Sequence, residues 1–136
     1  MKVIIAGSRS ITNPIDVETA IRTSGIAEDI TEVVSGTAPG VDRLGEDWAK
    51  ANNITIVRFP AQWNINGYKD PLAGFKRNFK MAQYADALIA VYDGVSNGTA
   101  NMIRTMQDMK KPVYFYIPPK DKQPVRINTK DTTNEN

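Results

Sequence analysis

The chain has 136 residues, 41% of them hydrophobic and 24% charged, with a formal net charge of +2. That is long enough for one core without covalent staples, and the balance is that of an ordinary globular domain. Cysteine and histidine are both absent, which excludes disulfides, thiol nucleophiles, thiolate metal sites, Ser-His-Asp chemistry and the usual zinc ligands.

Lys2 to Ala6 is a nearly continuous apolar run, the mark of a strand buried on both faces, and Gly7-Ser8-Arg9 ends it. Asn13-Pro14 is an N-cap followed by proline at the first helical position, so a first helix is expected to run to about Gly25. Ile30 to Val34 reads as a second strand, and Val41, Leu44, Trp48 and Ala51 give a second helix closed near Asn52-Asn53. Ile54 to Phe59 is a third strand, stopped by Pro60. Residues 61–73 read as a long structureless connection carrying Trp63 and Tyr68, aromatics placed to stack a base or to pack on the domain. A third helix follows, with Phe75, Phe79 and Ala82 as its inward stripe, then a fourth strand over Ala85–Val91. A fourth helix spans Thr99–Lys110 with Ile103 and Met106 inward, and Pro112–Ile117 is a fifth strand. Residues 1–117 therefore form the domain, and 118–136 a polar, flexible tail with room for a short added strand at Pro124–Asn128.

This alternation implies an α/β, Rossmann-like three-layer fold with a five-stranded parallel sheet of order 3-2-1-4-5. Ligands of such sheets bind beyond the carboxyl ends of the strands where the order reverses, here between strands one and four. Three glycine-bearing loops face that place: Gly7-Ser8-Arg9, the stretch Ser35 to Asp42 with Gly36 and Gly40, and Asp93 to Thr99. The last joins a glycine-rich turn of Gly94 and Gly98 to the hydroxyls of Ser96 and Thr99 at a helix N-terminus, the strongest phosphate candidate, although Ser96 or Asn97 also suits a simple cap. Arg9 is positioned to clamp a phosphate or carboxylate. The basic pair Lys76-Arg77 at a helix N-terminus, beside Asn78, points to an anionic partner. Asp42 and Glu46 share one helical face; Asp42 is offered to a ribose hydroxyl, Glu46 to the helix dipole.

Gly7-Ser8-Arg9, then Ser35 to Asp42, then Arg77-Asn78-Phe-Lys-Met81, then Asp93 to Thr99, resemble the SLOG superfamily, nearest its YspA-like (cpYpsA-related) group, over about residues 2–117. The resemblance implies a nucleotide site and a bacterial or phage setting, with a homodimer or larger assembly. Sensing or sequestering a nucleotide-derived signal in bacterial immunity is one role it brings. The superfamily's Lonely Guy phosphoribohydrolases carry signatures similar to Arg-Lys-x-x-Met and Pro-Gly-Gly-x-Gly-Thr-x-x-Glu. Arg77 and Met81 match the first with Asn78 in place of Lys, and Gly98-Thr99 match the second, but Met102 stands at the Glu position. In that family the Arg and the Glu are catalytic, so the missing carboxylate removes the obvious acid.

The expected function is thus binding of a nucleotide or nucleotide-derived small molecule at the switch point, through Gly7, Ser8, Arg9, Gly36, Gly40, Asp42, Arg77, Asn78, Asp93, Gly94, Ser96, Gly98 and Thr99. Cleavage of an N-glycosidic bond is the alternative, with Arg77, Asp93 and Asp42 as catalytic candidates. No metal and no cofactor are called for. DNA-processing relatives of the DprA type share the fold, but the small net charge and the lack of a basic, aromatic-rich stripe make nucleic acid an unexpected partner. The chain has no apolar run able to span a bilayer and opens on a run too short for a signal peptide, so a cytoplasmic protein without a membrane partner is expected.

Overall fold

The computed structural model describes residues 1–119. In chain order the elements are β1 (Lys2–Gly7), α1 (Pro14–Ser24), β2 (Glu32–Ser35), α2 (Val41–Ala51), β3 (Thr55–Arg58), the short strands β4 (Asn64–Ile65) and β5 (Tyr68–Lys69), α3 (Ala73–Tyr84), β6 (Ala87–Val91), α4 (Asn97–Asp108) and β7 (Val113–Tyr116). The main sheet has the order β3-β2-β1-β6-β7, parallel throughout. This is the expected order once the small β4–β5 pair is counted. β1 sits at the centre, pairing Val3 with both Val33 and Ala87, so the switch point lies between β1 and β6.

Side-chain alternation along the buried strands divides the core in two. Val3, Ile5, Val33 and Ile89 pack with Val17, Ile21, Val41 and Ala49 of α1 and α2. Ile4, Val34, Leu88 and Ala90 pack with Met81, Ala82, Met102 and Met106 of α3 and α4. Three layers result, with helices on both faces.

Local chemistry sets the helix ends. Asn13 accepts the Ile15 N–H at 3.0 Å, Pro14 opens α1, and Gly25 closes it at φ 78°. At the far end of α3, the Lys111 ammonium donates to the carbonyls of Ala82, Gln83 and Ala85 at 2.8, 3.2 and 2.8 Å. A cation there satisfies carbonyls that the helix leaves unpaired and complements its dipole.

Three expectations need correction. Residues 61–73 are not structureless: β4 and β5 form an antiparallel hairpin turned by Asn66 and Gly67 at φ 52° and 82°, the pair of positive φ angles that an Asn-Gly turn supplies. The inward stripe of α3 is Ala73, Asn78, Met81 and Ala82, while Phe75 and Phe79 are 45% and 50% exposed. In α4 the buried methionines are Met102 and Met106, with Ile103 only half-buried, and the helix starts two residues earlier than its periodicity suggested. The strand suggested at Pro124–Asn128, like most of the polar tail, lies outside the described residues.

Candidate functional site

At the carboxyl ends of β1 and β6 the chain builds a crevice of about 420 Å³. One wall comes from the loops after β1 and β2, the other from α3 and the first turn of α4.

The first wall is held by close backbone packing. A Cβ at Gly7 would lie 1.9 Å from the Val91 carbonyl oxygen, so only glycine lets β1 end against β6 there. Ser8 is fully buried; its N–H donates to the Val91 carbonyl at 3.1 Å and its hydroxyl accepts the Asp93 N–H at 3.0 Å. Gly40, at φ 81°, presses on this loop: a Cβ on it would meet the Ser8 carbonyl oxygen at 2.6 Å. Arg9 is left exposed at the mouth and lines the crevice.

Asp93 is a loop staple. Its carboxylate accepts the Val95 and Ser96 N–H groups at 2.9 and 3.0 Å and the Ser10 hydroxyl at 3.1 Å. The Val95 N–H outweighs partial burial and, with the Ser8 and Ser10 hydroxyls and the Ser96 N–H, holds the carboxyl below its usual range. Ser96 caps α4, its hydroxyl accepting the Thr99 N–H at 3.4 Å and the Thr99 hydroxyl at 3.1 Å. The N–H groups of Asn97 and Gly98 come before any intrahelical acceptor, and no atom lies within 4 Å of where a Gly98 Cβ would be. That open space is the floor of the crevice, at the positive end of a helix.

Arg77 is the centre of the second wall. Its Nη1 donates to the Gly36 carbonyl and its Nε to Asn78 Oδ1 at 3.0 Å. Asn78, buried, donates in turn to the Gly98 carbonyl at 3.2 Å and to Asn101 at 3.0 Å, tying α3 to the first turn of α4. Burial draws the guanidinium's pKa down; Asp42 opposes this and Arg9 adds to it, so two like charges face one crevice. Asp42 is buried beside them, accepting the Ala38 N–H at 3.1 Å and a further bond from the Gly7 N–H. Burial, the dominant cause, pushes its carboxyl up to about 6 against the pull of those bonds and of Arg77. Its proton is therefore exchangeable near neutrality, the condition for donating to a ligand hydroxyl or for acid–base work.

Glu46 belongs to the scaffold. It accepts the Ser35 hydroxyl at 2.6 Å and pairs with Arg58 at 3.0 Å. Burial would raise its pKa, but the Ser35 and Arg58 hydrogen bonds prevail and hold it low. Lys76, read from sequence as half of a pair awaiting an anion, finds one within the chain, Asp70 at 2.7 Å. Of the thirteen ligand-binding candidates, Gly7, Arg9, Asp42, Arg77, Asn78, Asp93, Ser96, Gly98 and Thr99 line the crevice. Ser8, Gly36 and Gly40 stand behind it as its frame, and Gly94 serves the turn before α4 at φ 94°. Ser10 and Ala38 also line it and were not singled out from sequence; Met102, at the signature's Glu position, is buried and reaches the lining. Among the described residues no cluster of carboxylates able to hold a metal occurs, and no helix is long and apolar enough to cross a membrane.

Set beside known proteins, the chain matches the family model of the YspA, cpYpsA-related SLOG family over residues 1–65. No curated protein sequence matches it. Among solved structures, DNA processing protein A (DprA) from Streptococcus pneumoniae is similar with a TM-score of 0.68 at 17% identity, over 88% of this chain and 50% of that one. DNA processing protein A from Helicobacter pylori, described by its single-stranded DNA binding mode, is similar with a TM-score of 0.61 at 23% identity, over 90% of this chain and 66% of that one. The chain thus spans between half and about two thirds of those proteins, and the likeness is one of fold. The expectation that nucleic acid is an improbable partner does not survive it, because a protein described by single-stranded DNA binding shares this architecture. A net charge of +2 averages over all faces and cannot decide what one face binds. Over residues 1–65, just under half its length, the chain thus matches the model of the YspA, cpYpsA-related SLOG family, on a Rossmann-type fold shared with DNA processing protein A.

Proposed function

We propose that the β1/β6 crevice binds the phosphate of a nucleotide, with Arg9, Arg77 and the first-turn N–H groups of α4 as its anion partners and Asp42 directed to a sugar hydroxyl. The observation that carries this is the convergence of two guanidinium groups on an open helix N-terminus. Arg77 is half-buried in the field of Arg9, and Asp42, partly protonated near neutral pH, offsets that charge incompletely. A phosphate relieves the conflict and accepts the Gly98 and Asn97 N–H groups. The ligand can be a free nucleotide-derived small molecule, sensed or sequestered, or a nucleotide within a strand, since both present the same phosphate. Thermal melts against nucleoside monophosphates, cyclic nucleotides, ADP-ribose and oligonucleotides test it. A ligand at about 100 times its Kd adds ~2.7 kcal/mol of stability. A flat response to the whole set, or full binding by Arg77→Met, would defeat the proposal.

A second reading, hydrolysis of an N-glycosidic bond, is favoured by Asp42 alone. It is a crevice carboxyl whose proton exchanges near pH 6, whereas both oxygens of Asp93 are engaged, one by its own loop and the other by Ser10. Free base released by the wild type and not by Asp42→Asn supports it; release that persists in Asp42→Asn sinks it.

A further inference from the structure

A larger groove, of about 790 Å³, lies on the other side of Arg77, bounded by the end of β3, the β4–β5 hairpin and the outer face of α3. Arg77 lines both cavities. The groove joins two kinds of surface that a folded domain ordinarily keeps apart. Phe75 and Phe79, four residues apart on one helical face, offer it rings that are 45% and 50% exposed. Arg58, Lys76, Arg77 and Lys80 line it as cations, against Asp70 as the one acid. Lys76 is paired with Asp70 and Arg58 with Glu46, but Lys80 has no ion-pair partner among the described residues. Trp63, itself 41% exposed, lies over the first turn of α3 beside Gly74: a Cβ there would touch the indole at 3.4 Å and Arg77 Nη2 at 3.8 Å, both ordinary contact distances.

A small apolar ligand would make no use of the cations, and a second copy of the chain would bring the same positive charges against them. A single-stranded nucleic acid uses both: phosphates neutralise lysine and arginine, and unstacked bases lie on aromatic rings. We infer that this groove is the track for a single strand, entered from the crevice across Arg77, with neighbouring bases stacked on Phe75 and Phe79 and Lys80 on the backbone. The inference rests on the crevice as the phosphate site for the strand's leading nucleotide, and names the ligand as an oligonucleotide.

Fluorescence anisotropy with a short labelled oligothymidylate, and calorimetry with thymidine monophosphate, test it on the full chain. Both phenylalanines are surface residues, so the double variant F75A/F79A is expected to fold, as a thermal melt checks. The wild type should bind the oligonucleotide at least about tenfold tighter than the mononucleotide, and F75A/F79A should lose about tenfold or more of the oligonucleotide affinity with mononucleotide binding unchanged. Lys80→Gln should reduce the log–log salt slope of oligonucleotide binding by about 0.7. Equal affinity for the two ligands in the wild type would overturn the inference, as would full oligonucleotide binding by F75A/F79A. So would a wild-type dimer that the double variant dissociates while oligonucleotide never binds. Failure of the crevice reading shows separately: Gly98→Val would then leave the mononucleotide affinity untouched, whatever the groove variants do.

Discussion

Gly36 is the seat of Arg77. The arginine's Nη1 donates to the Gly36 carbonyl, and a Cβ on Gly36 would lie 2.8 Å from that same nitrogen and 2.8 Å from Asp42 Oδ2. Two ionisable side chains, from α3 and α2, thus meet over a residue whose lack of a side chain leaves room for both in this arrangement. Gly36→Ala is expected to push both away. Overpacking of this kind costs about 1–3 kcal/mol, measurable by urea unfolding. Nucleotide affinity should fall by at least about tenfold, or ~1.4 kcal/mol, in calorimetry.

Two other glycines of the same crevice should respond in opposite ways. Gly98 faces open space, so Gly98→Val keeps the fold and, in the first turn of α4, replaces a poor helix former with a better one. Its melting temperature should equal or exceed that of the wild type while binding is lost. Gly7→Ala would place a Cβ 1.9 Å from the Val91 carbonyl oxygen, a clash with backbone that no side-chain movement relieves. That variant should be severely destabilised or insoluble. A melt and a binding isotherm on each separates the glycine that leaves room for ligand from the one that leaves room for the sheet.

Asp42 should give the stability curve a slope on the side where carboxylates usually give none. Its carboxyl titrates near 3.8 when exposed and at about 6 when folded. Between those values the folded state holds a proton that the unfolded state has released. The contribution is therefore complete below about pH 4 and is lost as pH rises through 6. The difference is on the order of 2–3 kcal/mol. Denaturant midpoints from pH 4 to 8 should decline across that window in the wild type and stay flat in Asp42→Asn, which keeps an acceptor for the Ala38 N–H.

Glu46 works with the opposite sign. Held low by Ser35 and Arg58, it stabilises the fold above its unfolded pKa near 4.5, and that contribution fades as pH falls through the folded value. Arg58 is half-exposed, which limits the worth of the pair. Glu46→Gln should cost about 1 kcal/mol at pH 7 and leave nucleotide binding unchanged. A loss of binding in that variant would move Glu46 from the scaffold into the site.

The sheet was legible because its strands are apolar on both faces and its helices carry their own punctuation: Asn13, Pro14 and Gly25 delimit α1 as their chemistry requires. The hairpin was not, although Asn66-Gly67 is a strong turn signal, because two residues on each side are too few to show alternation. Phe75 and Phe79 misled for a physical reason. Hydrophobicity at helical spacing points to a core, but the face of α3 that packs inward uses Ala73 and Ala82 for close approach, and a buried Asn78 whose bonds lie in α4. In the site, spacing brought forward Arg77, Asp42 and Gly98. It could not tell that Asp93 spends one oxygen on two N–H groups of its own loop, which any sequence would supply, and the other on Ser10, brought close only by the fold.

The central position of β1 has a consequence for how the molecule answers its ligand. β1 pairs on one side with β2, from its own half of the chain, and on the other with β6, from the second half. The crevice opens along that seam: Arg9 and Asp42 come from the segment that matches the family model, Arg77 and Gly98 from the segment beyond it. If the crevice holds an anion as proposed, that anion would act as a rivet across the join between two halves of one polypeptide, so that ligand binding would stabilise the sheet at its central seam.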